Sequence, residues 1–499
     1  MGPNPLRPLA RESFDYWKAL HLLNRAGFGG TPSHVRTLAN VGLEKAVDAL
    51  VDFDQAPSTP ANATWDASIR RPPTAEEQAI AERARRMNDE ETLARLQRER
   101  NQRDDADRTQ MRSAQAWWLT RLIESQRPLE EKLTLFWHGH FATGYRTIQD
   151  SYHMLRQNEL FRSNAAGNFR AIAYAIVHDP AMLKYLDNDE NRRGRPNENL
   201  ARELMELFVL GEGNGYTEND IKEGARALTG YTFRDDAFLF DAAQHDPSPK
   251  SIFGRRGTFN GDDFVKLIFD RPAASEFVCL KLYRFFVNDT PGTPPAEGQA
   301  FVRALGKLLR DGDFELKPVL RALFRSEHFY ASQHVASVIK SPVQLLVQAI
   351  RSLRTPIRSI DSLVMATELM GQDLFQPPNV KGWEGGRSWI NTSTLFVRQN
   401  VLMYLLTGRV PPGTRFAADQ QVADVNHVLD DLKEGAAGEE LPAESIARFL
   451  CRFALATRPH PDRVAAIARF LGQTAGAPQN DRLLGALALI SAMPEYQLC

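Results

Sequence analysis

The stretch Arg195–Phe208, RPNENLARELMELF, decides how the chain can fold. Placed on a helix at 100° per residue, its apolar side chains occupy one broad arc and its polar side chains form a narrow stripe on the opposite side. This polar stripe consists of Asn199, Arg202, Glu203 and Glu206. Because the apolar arc is so wide, we expect a helix that is buried on most sides, with a stripe that faces either solvent or a polar pocket.

Two interpretations of the polar stripe stay open. On a solvated surface it would hold an Arg202–Glu206 ion pair, which contributes a few tenths of a kcal/mol. In a pocket, Glu203 and Glu206 would lie about 5–6 Å apart, and one of them would keep its proton and could donate it. The pocket interpretation makes both glutamates catalytic candidates and makes Asn199 and Arg202 substrate-binding candidates. The alternative to a catalytic role is structural: the two glutamates form ion pairs with Arg202 and Arg226, and these pairs only hold helices together.

Composition sets wide bounds on the function. The chain has 499 residues, of which 43% are hydrophobic and 25% charged, as in ordinary globular proteins. A net charge of −1 and a pI near 6.9 indicate neither a nucleic acid nor an anionic membrane as a partner. Three widely spaced cysteines without a CxxC pair predict neither a disulfide framework nor a zinc site.

Targeting segments are not visible in the sequence. The N-terminus lacks the apolar core of a secretory signal, and no apolar run is long enough to cross a bilayer. The sequence therefore predicts no membrane span. It leaves the location open: cytoplasmic as given, or periplasmic or secreted if a signal has been trimmed.

The order of patterns predicts an all-α fold, in which one large helical domain carries a small β-hairpin and a protruding charged helical segment. We divide the chain into N-terminal helices (1–53), a linker with a charged helical insertion (54–126), a core helical region with the site (127–406), and C-terminal helices of the same domain (407–499). Thr31-Pro32 and Thr217–Asp220 each carry the capping signals that open a helix.

Two local features of this fold have predicted bounds. The charged segment, Thr74–Arg108, mixes acids with arginines. One helix from Thr74 to Gln126 would run roughly 80 Å, which is too long for a compact domain, so we expect a break near Asn88-Asp89 or Asn101. The hairpin lies near Phe238–Phe259, where alternating aromatics at Phe238–Phe240 could pair with Lys250–Phe253.

Histidines supply further candidates for chemistry. His138 and His140 flank a glycine at a helix end, and in a strand or loop their side chains would point the same way. Such a pair is a tentative ligand set for a divalent metal, and His138 is also an acid–base candidate. Alternatively, one histidine caps the helix end and the other is a satisfied core group. His245 and Asp246 complete the catalytic candidates.

The segment Asn379–Thr394 combines tryptophan, glycine, asparagine and lysine, which predicts an irregular but ordered loop. A sugar ring needs flat apolar surfaces for its faces and amides or hydroxyls for its edges. The loop therefore contributes the remaining substrate-binding candidates, which are Asn379, Lys381, Trp383, Trp389 and Asn391. The alternative is a rigid loop whose tryptophans pack on the core. We expect this loop, the Trp137–Phe141 turn, the polar stripe and His245-Asp246 to converge on one concavity.

Several familiar catalytic motifs are missing from the sequence. It contains no GxxxxGK[ST], no GxGxxG after a strand, no GxSxG and no HExxH, which disfavours nucleotide-dependent enzymes, serine hydrolases and zincins. The candidate histidines, glutamates and aspartate, together with the tryptophan loop, predict a hydrolase that acts on a glycan or another polyhydroxylated substrate through a His/Glu/Asp pocket. Two alternatives are a non-catalytic carbohydrate- or partner-binding module and a metal-dependent oxidoreductase.

A family resemblance rests on motifs spread over nearly the whole chain. They are LNRAGFGGTP at Leu23, EKLTLFWHGHFATG at Glu131, PNENLARELMELF at Pro196, HDPSPKSIFGRRGTFNGDD at His245 and NVKGWEGGRSWINTSTLFVRQN at Asn379. Their order resembles the bacterial family catalogued as domain of unknown function 1800. The resemblance implies one long, mainly helical domain without a settled activity. It also implies an export signal, which this sequence does not show, and a sulfatase-like partner encoded alongside. Tyr231 stands where the family commonly has tryptophan.

Overall fold

Helices provide nearly all of the regular structure in the part of the chain that the computed structural model describes, namely residues 4–60, 63–289, 291–433, 441–473 and 480–499. The all-α prediction is therefore confirmed. In these residues no helix has both the length and the apolar composition that a membrane span requires.

The N-terminal helices begin where the capping residues predict. They are α1 Tyr16–Ala26, α2 Pro32–Val41 and α3 Leu43–Val51. The Thr31 side chain accepts a hydrogen bond from the His34 amide, and Pro32 occupies the first helical position, where its missing N–H costs nothing. Both of these features follow from the sequence alone.

The charged segment folds into two helices, α4 Ala75–Met87 and α5 Glu90–Glu124. The predicted break at Asn88-Asp89 is confirmed, because Asn88 adopts a left-handed conformation with φ 50° and Asp89 caps the next helix through the Thr92 amide. The chain does not break at Asn101, and α5 continues for 35 residues into the core. Only Ala84 is buried between residues 75 and 106, so this pair of helices projects from the core.

The remaining helices surround two apolar cores. From residue 128 to 227 they are α6 Pro128–His140, α7 Tyr145–Ile148, α8 Ser151–Ser163, α9 Phe169–Ile176, α10 Pro180–Tyr185, α11 Asn199–Glu203 and α12 Glu218–Ala227. Next come α13 Gly261–Phe269, α14 Ala273–Phe286, α15 Ala296–Asp311, α16 Leu316–Arg325, α17 Pro342–Leu353 and α18 Ile360–Leu369. The last are α19 Thr392–Thr407, α20 Asp430–Lys433, α21 Ala443–Ala454, α22 Pro461–Leu471 and α23 Asn480–Ser491. One helix, α6, contributes to both cores, with Phe136 in the first and Leu135 in the second.

The stretch Arg195–Phe208 contains α11, which continues as a π-helix over Leu204–Val209. Leu200, Leu204 and Phe208 are fully buried, as the wide apolar arc predicts. The π-helix was not predicted. The next helix begins at the predicted capping box, in which Thr217 and Asp220 exchange hydrogen bonds.

The chain forms two short hairpins, and the predicted strand pairing is wrong. Strand β1 Tyr231–Arg234 pairs with β2 Ala237–Phe240, whereas β3 Lys250–Ile252 pairs with β4 Arg255–Gly257. The physical reason is a tight turn in each hairpin: Asp235 has φ 53°, and Phe253 and Gly254 have φ 49° and 75°. Such positive φ values return a strand onto its sequence neighbour, so β2 pairs with β1 and β3 pairs with β4.

Candidate functional site

A cavity of about 370 Å³ lies where the two apolar cores meet. Helices α1, α6, α14 and α17 and the loop 379–394 contribute to its wall. Aromatic side chains form much of that wall, and they are Phe28, Phe136, Phe285, Trp383 and Trp389. The volume falls within the range of small-molecule sites in proteins, about 300–1,000 Å³.

The loop 379–394 reaches the cavity because one glycine lets it approach α6 closely. Gly382 has φ 82°, and a Cβ atom there would lie 2.0 Å from the carbonyl oxygen of Gly139. Only glycine fits such a position, because it has neither a Cβ atom nor a penalty for positive φ. The contact holds Lys381, Trp383 and Trp389 at the cavity wall.

Two predicted substrate-binding residues of this loop serve its own geometry. The Asn379 side chain accepts a hydrogen bond from the Lys381 amide at 2.8 Å, which forms a local turn. Asn391 caps α19 in a capping box with Thr394. Neither asparagine lines the cavity, whereas Lys381, Trp383 and Trp389 do.

Basic side chains outnumber acidic ones in the cavity wall. The basic residues are Arg25, Lys132, Lys281, Arg284 and Lys381, and the acidic residues are Asp289 and Glu384. The sequence analysis identified only Lys381 among them. The others lie in separate helices, and each is an isolated charge without a local motif, although a lysine and an arginine inside the apolar sequence VCLKLYRFF of α14 are a weak signal.

Two of these cations already donate hydrogen bonds to backbone oxygens of the protein. The Arg25 guanidinium is buried and donates to the carbonyl oxygen of Phe286 at 2.8 Å and to the backbone oxygen of Cys499 at 2.9 Å. The Lys132 amine donates to the Gly27 carbonyl at 2.9 Å. It also donates to the Gln344 side chain. The hydrogen bonds of Arg25 and Lys132 therefore link separate segments of the chain at the cavity wall.

The cations toward α14 are more available. Arg284 donates from one Nη atom to the Gly292 carbonyl at 2.8 Å, and Lys381 lies 3.5 Å from a carboxylate oxygen of Glu212. Lys281 makes no hydrogen bond and no ion pair with any residue that the structure describes, and its Nζ lies 5.2 Å from the ring centre of Phe277. This side of the cavity can therefore bind an anion.

Burial changes the ionisation of the groups around the cavity. It lowers the pKa of Lys132 to about 7 and, with the nearby charge of Arg284, lowers the pKa of Lys281. Burial and the charge of Lys281 lower the pKa of His140 to about 3, so its ring is neutral. The pKa of Asp289 is raised by burial.

The two histidines of the HxH motif do not face the same way, so that prediction is wrong. Both lie in α6, where positions two apart are on nearly opposite sides. His138 packs among aromatic rings, and its Nε2 lies 2.9 Å from the side-chain nitrogen of Asn158. His140 donates from Nε2 to the Phe208 carbonyl at 2.8 Å, on the π-helix, and lines the cavity. The tentative metal pair therefore has no common site, and the described residues contain no group of three or more potential metal ligands.

The polar stripe lies outside the cavity wall, and two of its four residues, Arg202 and Glu206, form ion pairs. Arg202 contacts the carboxylates of Glu198, Glu206 and Glu218 at 2.9–3.2 Å. Glu203 is half-buried, and burial followed by the charge of Glu206 raises its pKa. Asn199 is exposed. The interpretation of the stripe as an ion-pair network fits this arrangement better than a role in the cavity.

His245 and Asp246 lie at the end of α12, away from the cavity wall. The His245 Nδ1 donates to the Thr229 carbonyl at 2.8 Å, and Asp246 pairs with Arg226 at 2.8 Å. Burial alone would raise the pKa of Asp246, but hydrogen bonds from Arg226 and Ser248 lower it. Of the four segments expected to converge, only α6 near His140 and the loop 379–394 meet at the cavity. The convergence prediction is wrong for the other two.

Comparison with known proteins supports the family resemblance. The family profile described as "Protein of unknown function (DUF1800)" matches residues 21–498, nearly the whole chain. The chain therefore belongs to this family. No curated protein and no solved structure matches the chain.

Proposed function

We propose that the cavity binds a small organic anion with a flat apolar face, and that an acidic sugar such as a uronate is the ligand class that fits best. The observation that carries this proposal is the excess of basic side chains around a largely aromatic cavity. A carboxylate inside such a cavity needs a cation or several N–H donors to replace its water. Lys281 and Arg284 supply both, one helical turn apart on α14.

The aromatic wall supports a ring-shaped ligand. Trp383 and Trp389 can cover apolar C–H faces of a sugar, and the cavity wall also includes the amide side chains of Asn24, Gln344 and Gln372. The planar guanidinium of Arg284 suits a carboxylate better than a neutral hydroxyl, because two parallel N–H groups match its two oxygens. A non-catalytic binding module needs no more than this.

Hydrolysis of a derivative of the same ligand is the second candidate function. It is favoured by Asp289, which lines the cavity and whose raised pKa suits a proton donor. The candidates Glu203, Glu206, His245 and Asp246 do not support it, because they lie outside the cavity. Under this proposal Asp289→Asn should lower the turnover of an aryl glucuronide about 10²–10⁴-fold without lowering the affinity for glucuronate. The sulfatase-like partner stays a prediction.

The binding proposal is tested by titrating the protein with D-glucuronate and D-glucose in a calorimeter. We expect heat from glucuronate only. Arg284→Gln should weaken glucuronate binding about 10–100-fold, because a hydrogen bond to a charged group contributes about 1.5–3 kcal/mol. Arg303→Gln is the matched control, since Arg303 is exposed on α15. Equal binding of both sugars, or an unchanged affinity in the Arg284 variant, would contradict the proposal.

A further inference from the structure

Lys281 differs from the other basic side chains of the cavity wall. Arg25, Lys132 and Arg284 donate hydrogen bonds to carbonyl or amide oxygens, and Lys381 contacts a carboxylate. The Lys281 amine lines the same cavity, but within the described residues it has neither an acceptor nor a counter-ion. The amine can therefore meet a ligand without first breaking a bond to the protein.

The surroundings of Lys281 disfavour its protonated form. Its side chain is half-buried, its neighbour Arg284 carries a fixed positive charge, and the His140 ring across the cavity is neutral. Lys381 adds a second positive charge, while the nearest acid, Glu212, is already paired with Lys381. Burial is the largest cause of the lowered pKa of Lys281, and the charge of Arg284 is the next. A desolvated lysine beside another cation is a typical nucleophile toward carbonyl compounds.

We propose that Lys281 is a reactive amine that forms an imine with the carbonyl carbon of an oxo acid, such as a 2-oxo acid or the open-chain aldehyde of a uronate. The inference rests on the proposed anion site, because Arg284 would hold the carboxylate of the same ligand. Imine formation adds a covalent step at the Lys281 amine, and anion binding alone does not require that step.

The step is balanced without any further reagent. The nitrogen lone pair attacks the carbonyl carbon, and the π electrons of the C=O bond move to its oxygen. A proton passes from nitrogen to this oxygen, which gives a carbinolamine. The hydroxyl group then leaves with a second proton as water, and the nitrogen and carbon share a double bond. Amine and carbonyl compound are consumed, and imine and water are formed.

A structural or purely electrostatic role is the alternative for Lys281. In that role the lysine would only supply positive charge, and arginine could replace it. Arginine keeps the charge but cannot form this imine under mild conditions, because its guanidinium stays protonated. Lys281→Arg therefore separates covalent chemistry from charge.

The experiment uses the whole protein, glyoxylate as the oxo acid, and sodium cyanoborohydride, which reduces an imine to a stable amine. Peptide mass spectrometry then locates the carboxymethyl adducts. Lys281 should be modified severalfold faster than Lys266, an exposed lysine of α13, because burial and the charge of Arg284 lower the pKa of Lys281 and leave more of its amine neutral. Lys381 serves as a control within the same cavity and should be modified more slowly than Lys281, because its amine contacts the Glu212 carboxylate.

The outcomes distinguish this inference from the proposed function. Modification of Lys281 no faster than that of Lys266 would overturn the inference, and this result comes from the wild-type protein, independently of how any variant folds. Glycolate has the same carboxylate but no carbonyl, so its binding reports the anion site alone. Binding of glycolate without adduct formation would overturn only the imine. Adduct formation at Lys281 without glycolate binding would overturn the anion site and leave the reactive amine. Lys281→Arg should remove the adduct at position 281.

Discussion

The substitution Glu131→Gln should destabilise the protein strongly, because it breaks a buried ionic cluster at the start of α6. The Glu131 carboxylate is fully buried and accepts four hydrogen bonds. Arg121 donates at 2.9 Å, Arg162 donates twice at 2.9 and 3.1 Å, and the Trp118 indole donates at 3.2 Å. The cluster anchors the helix that carries a large part of the cavity wall.

The magnitude follows from counting the hydrogen bonds that glutamine cannot accept. A glutamine side chain keeps one acceptor oxygen and turns a donor NH₂ group toward a guanidinium. At least two of the four bonds are lost, each worth about 1.5–3 kcal/mol with a charged partner. The buried Arg162 guanidinium also loses its Glu131 counter-charge, and Arg121 keeps only Glu130, at 4.0 Å. We therefore expect a loss of about 3–5 kcal/mol in the free energy of unfolding, as for other broken buried ion pairs.

Equilibrium unfolding in urea, followed by circular dichroism, measures this loss. The matched control is Glu99→Gln, because Glu99 pairs with Arg95 at 2.8 Å on the exposed face of α5. That pair should contribute only about 0–1 kcal/mol. A loss below about 1 kcal/mol for Glu131→Gln, or equal losses for both variants, would refute the reasoning.

The same carboxylate predicts a pH dependence. Burial opposes ionisation of Glu131, but the ion pairs with Arg162 and Arg121 outweigh it, so the pKa of Glu131 is lower in the folded protein than in the unfolded chain. A group with a lowered folded pKa stabilises the protein above its unfolded pKa, and this contribution is lost as the pH falls through the folded pKa. The difference in stability between wild type and Glu131→Gln should therefore shrink below about pH 4.3.

Further predictions concern the loop, the projecting helices and the hairpin region. Gly382→Ala should weaken glucuronate binding at least about tenfold in calorimetry by displacing the loop, whereas Gly385→Ala, which has a similar positive φ but open space around its Cβ position, should weaken it less and so controls for backbone strain alone. Replacing residues 78–100 by a short linker should cost less than about 1 kcal/mol in urea unfolding, because only one residue there is buried. Asp107→Asn, by contrast, should cost about 2–4 kcal/mol, since that buried carboxylate accepts three hydrogen bonds of 2.7–2.9 Å. Asp246→Asn should remove stability measured at pH 7 and have less effect below about pH 4, because the pKa of Asp246 is lowered in the folded protein.

Local chemistry made much of the fold predictable. Thr31, Asp89 and Thr217 cap helices where the sequence places them, and the break at Asn88 follows from the tolerance of asparagine for left-handed backbone. The family resemblance and the all-α class were also correct. These features depend on residues within a few positions of one another, so a single sequence contains the information.

Two errors concern local structure that was misjudged, namely where helix α6 ends and which residue caps α19. His138 and His140 would point the same way only if α6 ended before them, but α6 extends to His140. Asn391 resembles a ligand-binding amide in the sequence, yet its side chain caps α19.

The site itself could be predicted only in part. Trp383, Trp389 and Lys381 stand in one unusual loop and were identified. Lys281 and Arg284 come from a helix about 100 residues earlier in the chain, and only the packing of α14 against α6 and the loop brings them into the same wall. Spacing along the sequence carries no signal for such a juxtaposition.

The central claim is that the cavity beside α14 binds a small organic anion, and a crystal structure of the protein soaked with D-glucuronate tests it most directly. The account predicts a sugar ring against Trp383 or Trp389, with its carboxylate within 2.7–3.2 Å of the Arg284 guanidinium. Glucuronate bound elsewhere on the protein, or an unoccupied cavity at a concentration that saturates the calorimetric titration, would contradict it.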